Sequence, residues 1–138
     1  MFSIGKLSEQ ARVKVPTIRY YEGIGLMPKA ERSAGGQRRY TRAHAERLGF
    51  IRHSRDLGFS LDAIRSLLDL SAHPDQSCAE ANEIARDQLG DVRARIAQLQ
   101  TLEGELARIA ALDCDGGPLA ECQVLTALGD HTQCKGAH

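Results

Sequence analysis

The fold is decided by the stretch from Cys78 to Cys122, which reads CAEANEIARDQLGDVRARIAQLQTLEGELARIAALDCDGGPLAEC. Apolar residues recur in it at steps of three and four, the spacing that aligns side chains along one stripe of a helix. These residues are Leu89, Val92, Ile96, Leu99, Leu102, Leu106 and Ile109. No proline occurs from Ala79 to Leu112, and Gly-Gly-Pro at 116–118 ends the pattern. The stretch predicts a long helix whose apolar stripe needs a partner.

Cysteines bracket this helix, with Cys78 at its start and Cys114 and Cys122 just past its end. A helix from Ala79 to Leu112 would be roughly 50 Å long, so Cys78 and Cys114 of one chain cannot share an ion. Two antiparallel copies would instead bring Cys78 of one subunit beside Cys114 and Cys122 of the other. A thiol at a helix start is also a credible metal ligand, because exposed amides and the helix dipole favour its anion. The pattern therefore predicts a homodimer with two equivalent thiolate sites.

Composition favours a small helical protein. Hydrophobic residues make up 42% of the 138 residues and aromatic residues only 4%, which is typical of an aliphatic, helix-rich core. No run of about 18 apolar residues occurs, and Met1–Lys6 lacks the basic-then-apolar order of a secretory signal. We therefore expect a cytoplasmic protein without a membrane partner, whose four cysteines are reduced thiols available to metal or redox chemistry.

The neutral net charge conceals an asymmetry along the chain. Residues 1–60 carry 12 Lys and Arg against 5 Asp and Glu, a net charge of +7. Residues 61–138 carry 6 against 13, a net charge of −7. Because attraction to phosphates acts locally, the basic half is the candidate for binding a polyanion.

Two short helices in the basic half predict a helix-turn-helix. The first runs from about Ile4 to Ala11, and the second begins near Pro16 and ends at the glycines Gly23 and Gly25. The second helix would present four residues to a major groove. These are Lys14, Thr17, Arg19 and Tyr20. A basic helix that only faces solvent fits the same pattern, because small helical pairs are common in proteins that never bind nucleic acid.

A glycine turn between two short extended arms follows at 31–40 and predicts a hairpin wing. Four residues of this wing are candidates for gripping the sugar-phosphate backbone beside the groove. They are Arg32, Arg38, Arg39 and Tyr40. Downstream, apolar residues predict a compact helical core that joins the wing to the long helix. They are Leu48, Ile51, Leu57, Phe59, Leu61, Ile64, Leu67 and Leu68.

Five segments of the chain together resemble the mercury-resistance regulator (MerR) family. They are Ile4-Gly5-Lys6-Leu7, the run from Thr17 to Leu26, Gly36-Gln37-Arg38-Arg39-Tyr40, the run from His44 to Arg52, and the run from Leu57 to Ile64. The resemblance implies a mainly α protein with a winged helix-turn-helix DNA-binding domain over 1–70. A linker and antiparallel coiled-coil dimerisation helix would follow over 71–112, then a metal-binding loop, short helix and tail over 113–138. Gln37 departs from the family pattern, which usually has an aromatic residue there.

The resemblance also implies a function. Members bind an inverted-repeat operator in a promoter and, on binding metal, bend and untwist the DNA so that RNA polymerase can engage both promoter elements. Members that sense divalent soft ions place cysteine at the start of the dimerisation helix, as at Cys78, whereas copper(I) sensors tend to place serine there. Ser77 is adjacent, so an alignment shifted by one residue would offer the serine instead.

Thiolate ligands restrict the identity of the metal. Soft sulfur suits zinc, cadmium, lead, mercury or copper(I) and poorly suits magnesium or calcium. Zinc would need a fourth ligand, whereas lead and mercury tolerate the three thiolates of Cys78, Cys114 and Cys122. His131, Cys134 and His138 in the tail could supply that ligand or hold a second ion. We expect a soft divalent ion as the effector and no organic cofactor.

Other functions fit parts of the pattern. A copper(I)-responsive regulator, or a thiol-based redox sensor of the same architecture, would use the same cysteines, and a metal buffer would leave residues 1–60 without a role. An enzyme is not expected, because no serine, histidine and acid grouping, phosphate-binding loop or paired carboxylates stand out.

Overall fold

A computed structural model describes residues 1–112 and 116–129 of the chain. The helices are α1 (Ile4–Ala11), α2 (Val15–Gly23), α3 (Arg42–Asp56), α4 (Leu61–Ser71), α5 (Ala79–Ala110) and α6 (Gln123–Gly129), with a 3₁₀ turn at Leu119–Glu121. The strands are β1 (Glu31–Arg32) and β2 (Arg38–Arg39). The predicted mainly α class, with a helix-turn-helix, a wing and a long helix in that order, is confirmed.

The chain divides into two compact units, Met1–Ile84 and Ala85–His138. The predicted division at residues 70 and 112 stays a prediction. Within the described residues, no helix is both long and apolar enough to cross a membrane.

Side-chain caps fix the starts of three helices in the first unit. The hydroxyl oxygens of Ser3, Thr41 and Ser60 accept backbone N–H groups at the starts of α1, α3 and α4. Helix α1 ends at Arg12, whose φ of 56° lies in the left-handed region, and the chain turns into α2 through Val13. The tight turn predicted between the first two helices follows from this reversal.

The core of the first unit is aliphatic and includes two tyrosines. It consists of Leu7, Val13, Ile18, Tyr21, Leu26, Met27, Tyr40, Leu48, Ile51, Ile64 and Leu68. Four of the predicted core residues, Leu48, Ile51, Ile64 and Leu68, are buried. The prediction was wrong for Leu57, which is 54% exposed because it lies at the C-terminal cap of α3, beyond the face that packs inward.

The second unit leaves most of its apolar stripe uncovered. Leu89, Val92, Ile96, Leu99 and Leu106 of α5 are between 40% and 62% exposed in the single chain. Two residues of the stripe are covered, since Ile109 is buried and Leu102 is half-buried. A single chain therefore does not bury the apolar side of its longest helix.

The segment after the long helix contains a 3₁₀ turn ahead of the short helix that the resemblance implies. The Cys122 N–H donates to the Leu119 carbonyl at 3.0 Å and closes a 3₁₀ turn. Cys122 then has extended backbone (φ −72°, ψ 116°), and its carbonyl accepts the Thr126 N–H at 3.1 Å, which starts α6. Two short helical pieces meet at the cysteine, and α5 itself ends at Ala110, slightly before the predicted Leu112.

Tyr40 is the residue for which the predicted role was wrong. Its side chain is fully buried instead of lying on the wing surface, and its hydroxyl donates to Glu22 Oε1 of α2 at 2.8 Å. Burial, together with the hydrogen bond to Glu22 and the charge of that residue, raises the pKa of Tyr40 from 10.0 to about 12. Its backbone pairs with Phe2 through hydrogen bonds of 2.7 and 2.8 Å. Tyr40 therefore joins the wing to the core and does not offer its side chain to phosphate.

Replacing Tyr40 by Phe keeps the ring but removes the donor to Glu22. We expect the free energy of unfolding to fall by about 1–3 kcal/mol, because a part-buried carboxylate loses a hydrogen bond. Urea denaturation of the purified protein near neutral pH measures this. Tyr20→Phe is the matched control, since the Tyr20 ring is 55% exposed, and an equal loss in both variants would contradict the assignment.

The same pair of proteins tests the pKa of Tyr40. Because the pKa is raised on folding, the protonated hydroxyl stabilises the fold fully below pH 10 and loses that effect as pH rises through about 12. The difference in stability between the wild type and Tyr40→Phe should therefore narrow over this window. A difference that stays constant would mean that Tyr40 is not the titrating group.

Candidate nucleic-acid interface and thiol ligands

Helix α2 has one buried face and one exposed face. Ile18 and Tyr21 pack into the core, while Lys14, Arg19 and Tyr20 are exposed and Thr17 is half-buried. Pro16 lies in the first turn, where its missing N–H breaks no helical hydrogen bond. The predicted DNA-reading residues therefore occupy the solvent side of a helix held by its opposite face.

Two arginines from other helices hold the turn that follows α2. Arg65 Nη2 of α4 donates to the Ile24 carbonyl at 2.7 Å, and Arg47 Nε of α3 donates to the Leu26 carbonyl at 2.8 Å. Gly25, between the two acceptors, has a φ of 76°, which few other residues adopt. Both cations lie beyond the C-terminal end of α2, where the helix dipole favours positive charge. Sequence reasoning missed both contacts, because no local motif links residues 21 and 41 positions apart.

The wing is a short antiparallel hairpin in which Glu31 pairs with Arg39 and Arg32 with Arg38. The turn closes through hydrogen bonds from Ser33 N to the Gln37 carbonyl at 2.8 Å and from Gly36 N to the Ser33 carbonyl at 2.9 Å. Gly36 has a φ of 79°, so the turn requires a residue without a side chain there.

The arginines of the wing have different surroundings. Arg32 and Arg38 are exposed, and Arg32 Nη1 donates to the Gly36 carbonyl at 2.9 Å. Arg39 is half-buried and donates to Gln37 Oε1 at 2.9 Å. Gln37, the departure from the family pattern, therefore provides an acceptor for a neighbouring arginine.

Helix α2 and the wing share one basic groove. A depression of about 510 Å³ is lined by Arg19, Glu22, Gly23, Lys29, Ala30, Arg32 and Arg38. Of these, Arg19, Arg32 and Arg38 were predicted from the sequence, whereas Lys29 was not. Its four cations outnumber the single carboxylate, Glu22, which accepts the Tyr40 hydroxyl. The structure thus brings one major-groove candidate, Arg19, and two backbone candidates, Arg32 and Arg38, to one positively charged surface.

Cys78 is an exposed free thiol at the start of α5. Its carbonyl accepts the Asn82 N–H at 2.9 Å, and Asn82 Nδ2 approaches its Sγ at 3.7 Å. The neighbouring Ser77 hydroxyl accepts the Ala79 N–H at 3.1 Å, so the serine oxygen caps the helix while the cysteine sulfur is open to solvent.

Of the other predicted ligands, only Cys122 lies within the described residues. Cys122 is a half-buried cysteine of the second unit, between the 3₁₀ turn and α6. Cys114, His131, Cys134 and His138 lie outside the described residues. Within 1–112 and 116–129, no group of three or more His, Cys, Asp or Glu side chains is arranged to hold a metal ion.

A helix-turn-helix and a wing around a basic groove define a winged helix-turn-helix DNA-binding protein. Residues 2–71 match the family described as "MerR HTH family regulatory protein", and residues 45–109 match "MerR, DNA binding". The chain belongs to the MerR family of transcriptional regulators and is not an enzyme.

Individual relatives match over almost the whole chain. The transcriptional regulator ZntR of Escherichia coli is 42% identical over 93% of this chain and 92% of its own length. HmrR of Rhizobium leguminosarum is 35% identical over 93% of this chain and 98% of its own length. The structure of PbrR691 from Ralstonia metallidurans in complex with lead(II) is similar with a TM-score of 0.80 and 38% identity, covering 93% of this chain and 99% of that one.

Arg19→Ala and Arg38→Ala should each weaken binding to a promoter fragment identified by footprinting. Removing one phosphate or base contact is expected to cost about 1–3 kcal/mol, and a lost phosphate contact should reduce the salt slope by about one. Fluorescence anisotropy across a salt series measures both quantities. Arg86→Ala removes the same charge from the exposed surface of α5 and serves as control. Unchanged affinity in both groove variants would rule out this groove as the DNA-binding surface.

Proposed function

We propose that the protein is a homodimeric, metal-responsive activator whose effector is a soft divalent ion of the zinc, cadmium, lead and mercury group. The observation that carries the proposal is the open thiol of Cys78 at the first turn of a helix whose apolar stripe is uncovered. The ligands would be Cys114 and Cys122 of one protomer and Cys78 of the partner subunit. The relatives support this choice, since one similar structure contains lead(II) and a MerR from Bacillus megaterium, 26% identical, contains mercury(II).

The exposed stripe of α5 supports the proposed dimer. Leaving apolar side chains in water costs about 25 cal/mol for each Å² that could be buried. A second copy of the same helix offers the same stripe, and a two-fold axis lets the two stripes cover each other. A dimer of this kind would present two α2 helices, which suits an operator with two half-sites.

Ile96→Glu tests the dimer. Ile96 is 49% exposed in the single chain, so the substitution costs little there, whereas in a dimer it buries a charge in the shared stripe. Sedimentation equilibrium at micromolar concentration should give a dimer for the wild type and a monomer for the variant. Ala94→Glu adds the same charge at an exposed position about 200° around the helix and should stay dimeric. A variant at Ile96 that dimerises like the wild type would refute the stripe as the interface.

The available donors fit a soft ion. Cys78 offers an exposed sulfur and Cys122 a half-buried one, and thiolate sulfur prefers soft ions over magnesium or calcium. A bound ion would supply bonds that join ligands of two protomers. Cys78 would fix the start of α5 in that site, and Cys122 would fix the segment between the 3₁₀ turn and α6. If the metal binds one dimer geometry more tightly than the other by about 1–3 kcal/mol, transcription would change by several-fold to about a hundredfold.

A change of dimer geometry can act on transcription through the bound DNA. We propose that the dimer geometry favoured by the metal changes the relative placement of the two DNA-binding units, which distorts the promoter so that RNA polymerase can engage it. A metal-dependent change of DNA shape gives activation without loss of operator binding. The regulator would act in the cytoplasm, where thiols remain reduced.

Serine variants of the three cysteines test the site. Cys78→Ser, Cys114→Ser and Cys122→Ser should each abolish metal-dependent transcription in vitro while operator affinity stays unchanged, because serine binds soft ions poorly. Zinc, cadmium, lead, mercury and copper(I) are compared under anaerobic conditions. Undiminished induction of Cys114→Ser would count against this ligand set.

Two further outcomes separate the alternatives. Induction by copper(I) alone, or by an oxidant without metal, would replace the divalent-ion proposal with a copper or redox regulator. Cys134→Ser tests whether the ion has three ligands or four. A loss of the zinc response alone would indicate a fourth ligand from the tail, whereas no loss would leave three thiolates sufficient.

A further inference from the structure

His44 is buried at the third position of α3 and uses both ring nitrogens. Nδ1 accepts the Thr41 backbone N–H at 3.0 Å, and Nε2 lies 3.2 Å from the Lys29 carbonyl oxygen. The Thr41 hydroxyl oxygen accepts the His44 N–H at 3.4 Å, which completes a capping box. A single side chain is thereby tied to two separate backbone positions.

The two backbone partners are complementary to the two ring nitrogens. A backbone N–H donates and a carbonyl oxygen accepts, so the contacts with Thr41 and Lys29 are both hydrogen bonds when Nε2 carries the proton. Nδ1 also lies 2.9 Å from the Thr41 hydroxyl oxygen, which can donate to it.

The two backbone partners are the two ends of the wing. Lys29 precedes β1 and Thr41 follows β2, so His44 closes the base of the hairpin. The His44 ring also meets the Tyr40 ring edge-on, with centroids 5.3 Å apart and an interplanar angle of 86°. Tyr40 in turn donates to Glu22 of α2. The chain of contacts therefore links the wing, α3 and the DNA-facing helix.

We propose that His44 is a positioning residue for DNA binding, whose ring clasps the base of the wing and so holds Arg32 and Arg38 at the basic groove. The ring fixes the chain on both sides of the hairpin, at Lys29 before β1 and at Thr41 after β2. Loss of the clasp would leave the wing without this support and weaken operator binding.

A double-mutant cycle between His44→Gln and Arg38→Ala tests the positioning role. Glutamine at this position can complete the capping box, so α3 should still form, but one amide cannot also reach Lys29. We expect His44→Gln to weaken operator binding about three- to tenfold, the effect of one hydrogen bond. Arg38→Ala should then lose less affinity in the His44→Gln background than in the wild type, because an unclasped wing already holds Arg38 poorly. Strictly additive losses would overturn the proposal, since independent sites add.

His53→Gln is the matched control, because it removes an exposed histidine from the same helix and leaves the clasp intact. Its effect on operator binding should be small and should add to that of Arg38→Ala. A loss of affinity as large as that of His44→Gln would contradict a specific role for the clasp.

A measurement on the wild type avoids any dependence on the folding of the variant. Long-range ¹H–¹⁵N correlation spectra of the ring nitrogens distinguish the two neutral tautomers and the cation. The neutral His44 ring should give the Nε2–H tautomer, which can donate to the Lys29 carbonyl. The Nδ1–H tautomer would contradict the clasp.

Discussion

A hydrogen bond between the Tyr40 hydroxyl and the Glu22 carboxylate joins the wing to the DNA-facing helix. The wing itself is only two residue pairs wide, too small to hold an orientation by its own backbone bonds. Tyr40 compensates by inserting its whole ring into the core and placing its hydroxyl beneath α2. Because Tyr40 is fixed in the core, the hairpin keeps its orientation while Arg32 and Arg38 remain exposed to solvent.

A similar constraint acts just beyond Glu22, in the turn that follows α2. Arg47 and Arg65 donate to carbonyls in the turn after the helix, and they come from α3 and α4. Guanidinium groups suit this position because they supply fixed donors and a positive charge at a helix C-terminus. The orientation of the DNA-facing helix therefore depends on both helices of the second pair. Any movement of α4, the helix that leads toward Cys78, would be transmitted to that turn.

Periodicity and turn residues predicted the elements of the fold but not how their polar side chains pair. The spacing from Leu89 to Ile109 predicted α5, and Pro16 and the glycines at 23 and 25 placed α2, because these signals are local. The role of Tyr40 was mispredicted, because a tyrosine after two arginines has the same local pattern whether its ring points outward or inward. The role of His44 was not predicted, since its partner Lys29 is 15 residues away. The predicted thiol ligands Cys78 and Cys122 belong to different units, and their meeting across a dimer stays a prediction.

The pairing of Phe2 with Tyr40 has a practical consequence for handling the protein. The second residue of the chain hydrogen-bonds the last residue of the hairpin through both backbone groups. Any polypeptide fused ahead of Met1, such as a purification tag, would therefore emerge beside the hairpin that flanks the DNA. Recombinant material for footprinting should carry a cleavable tag, removed before the assay.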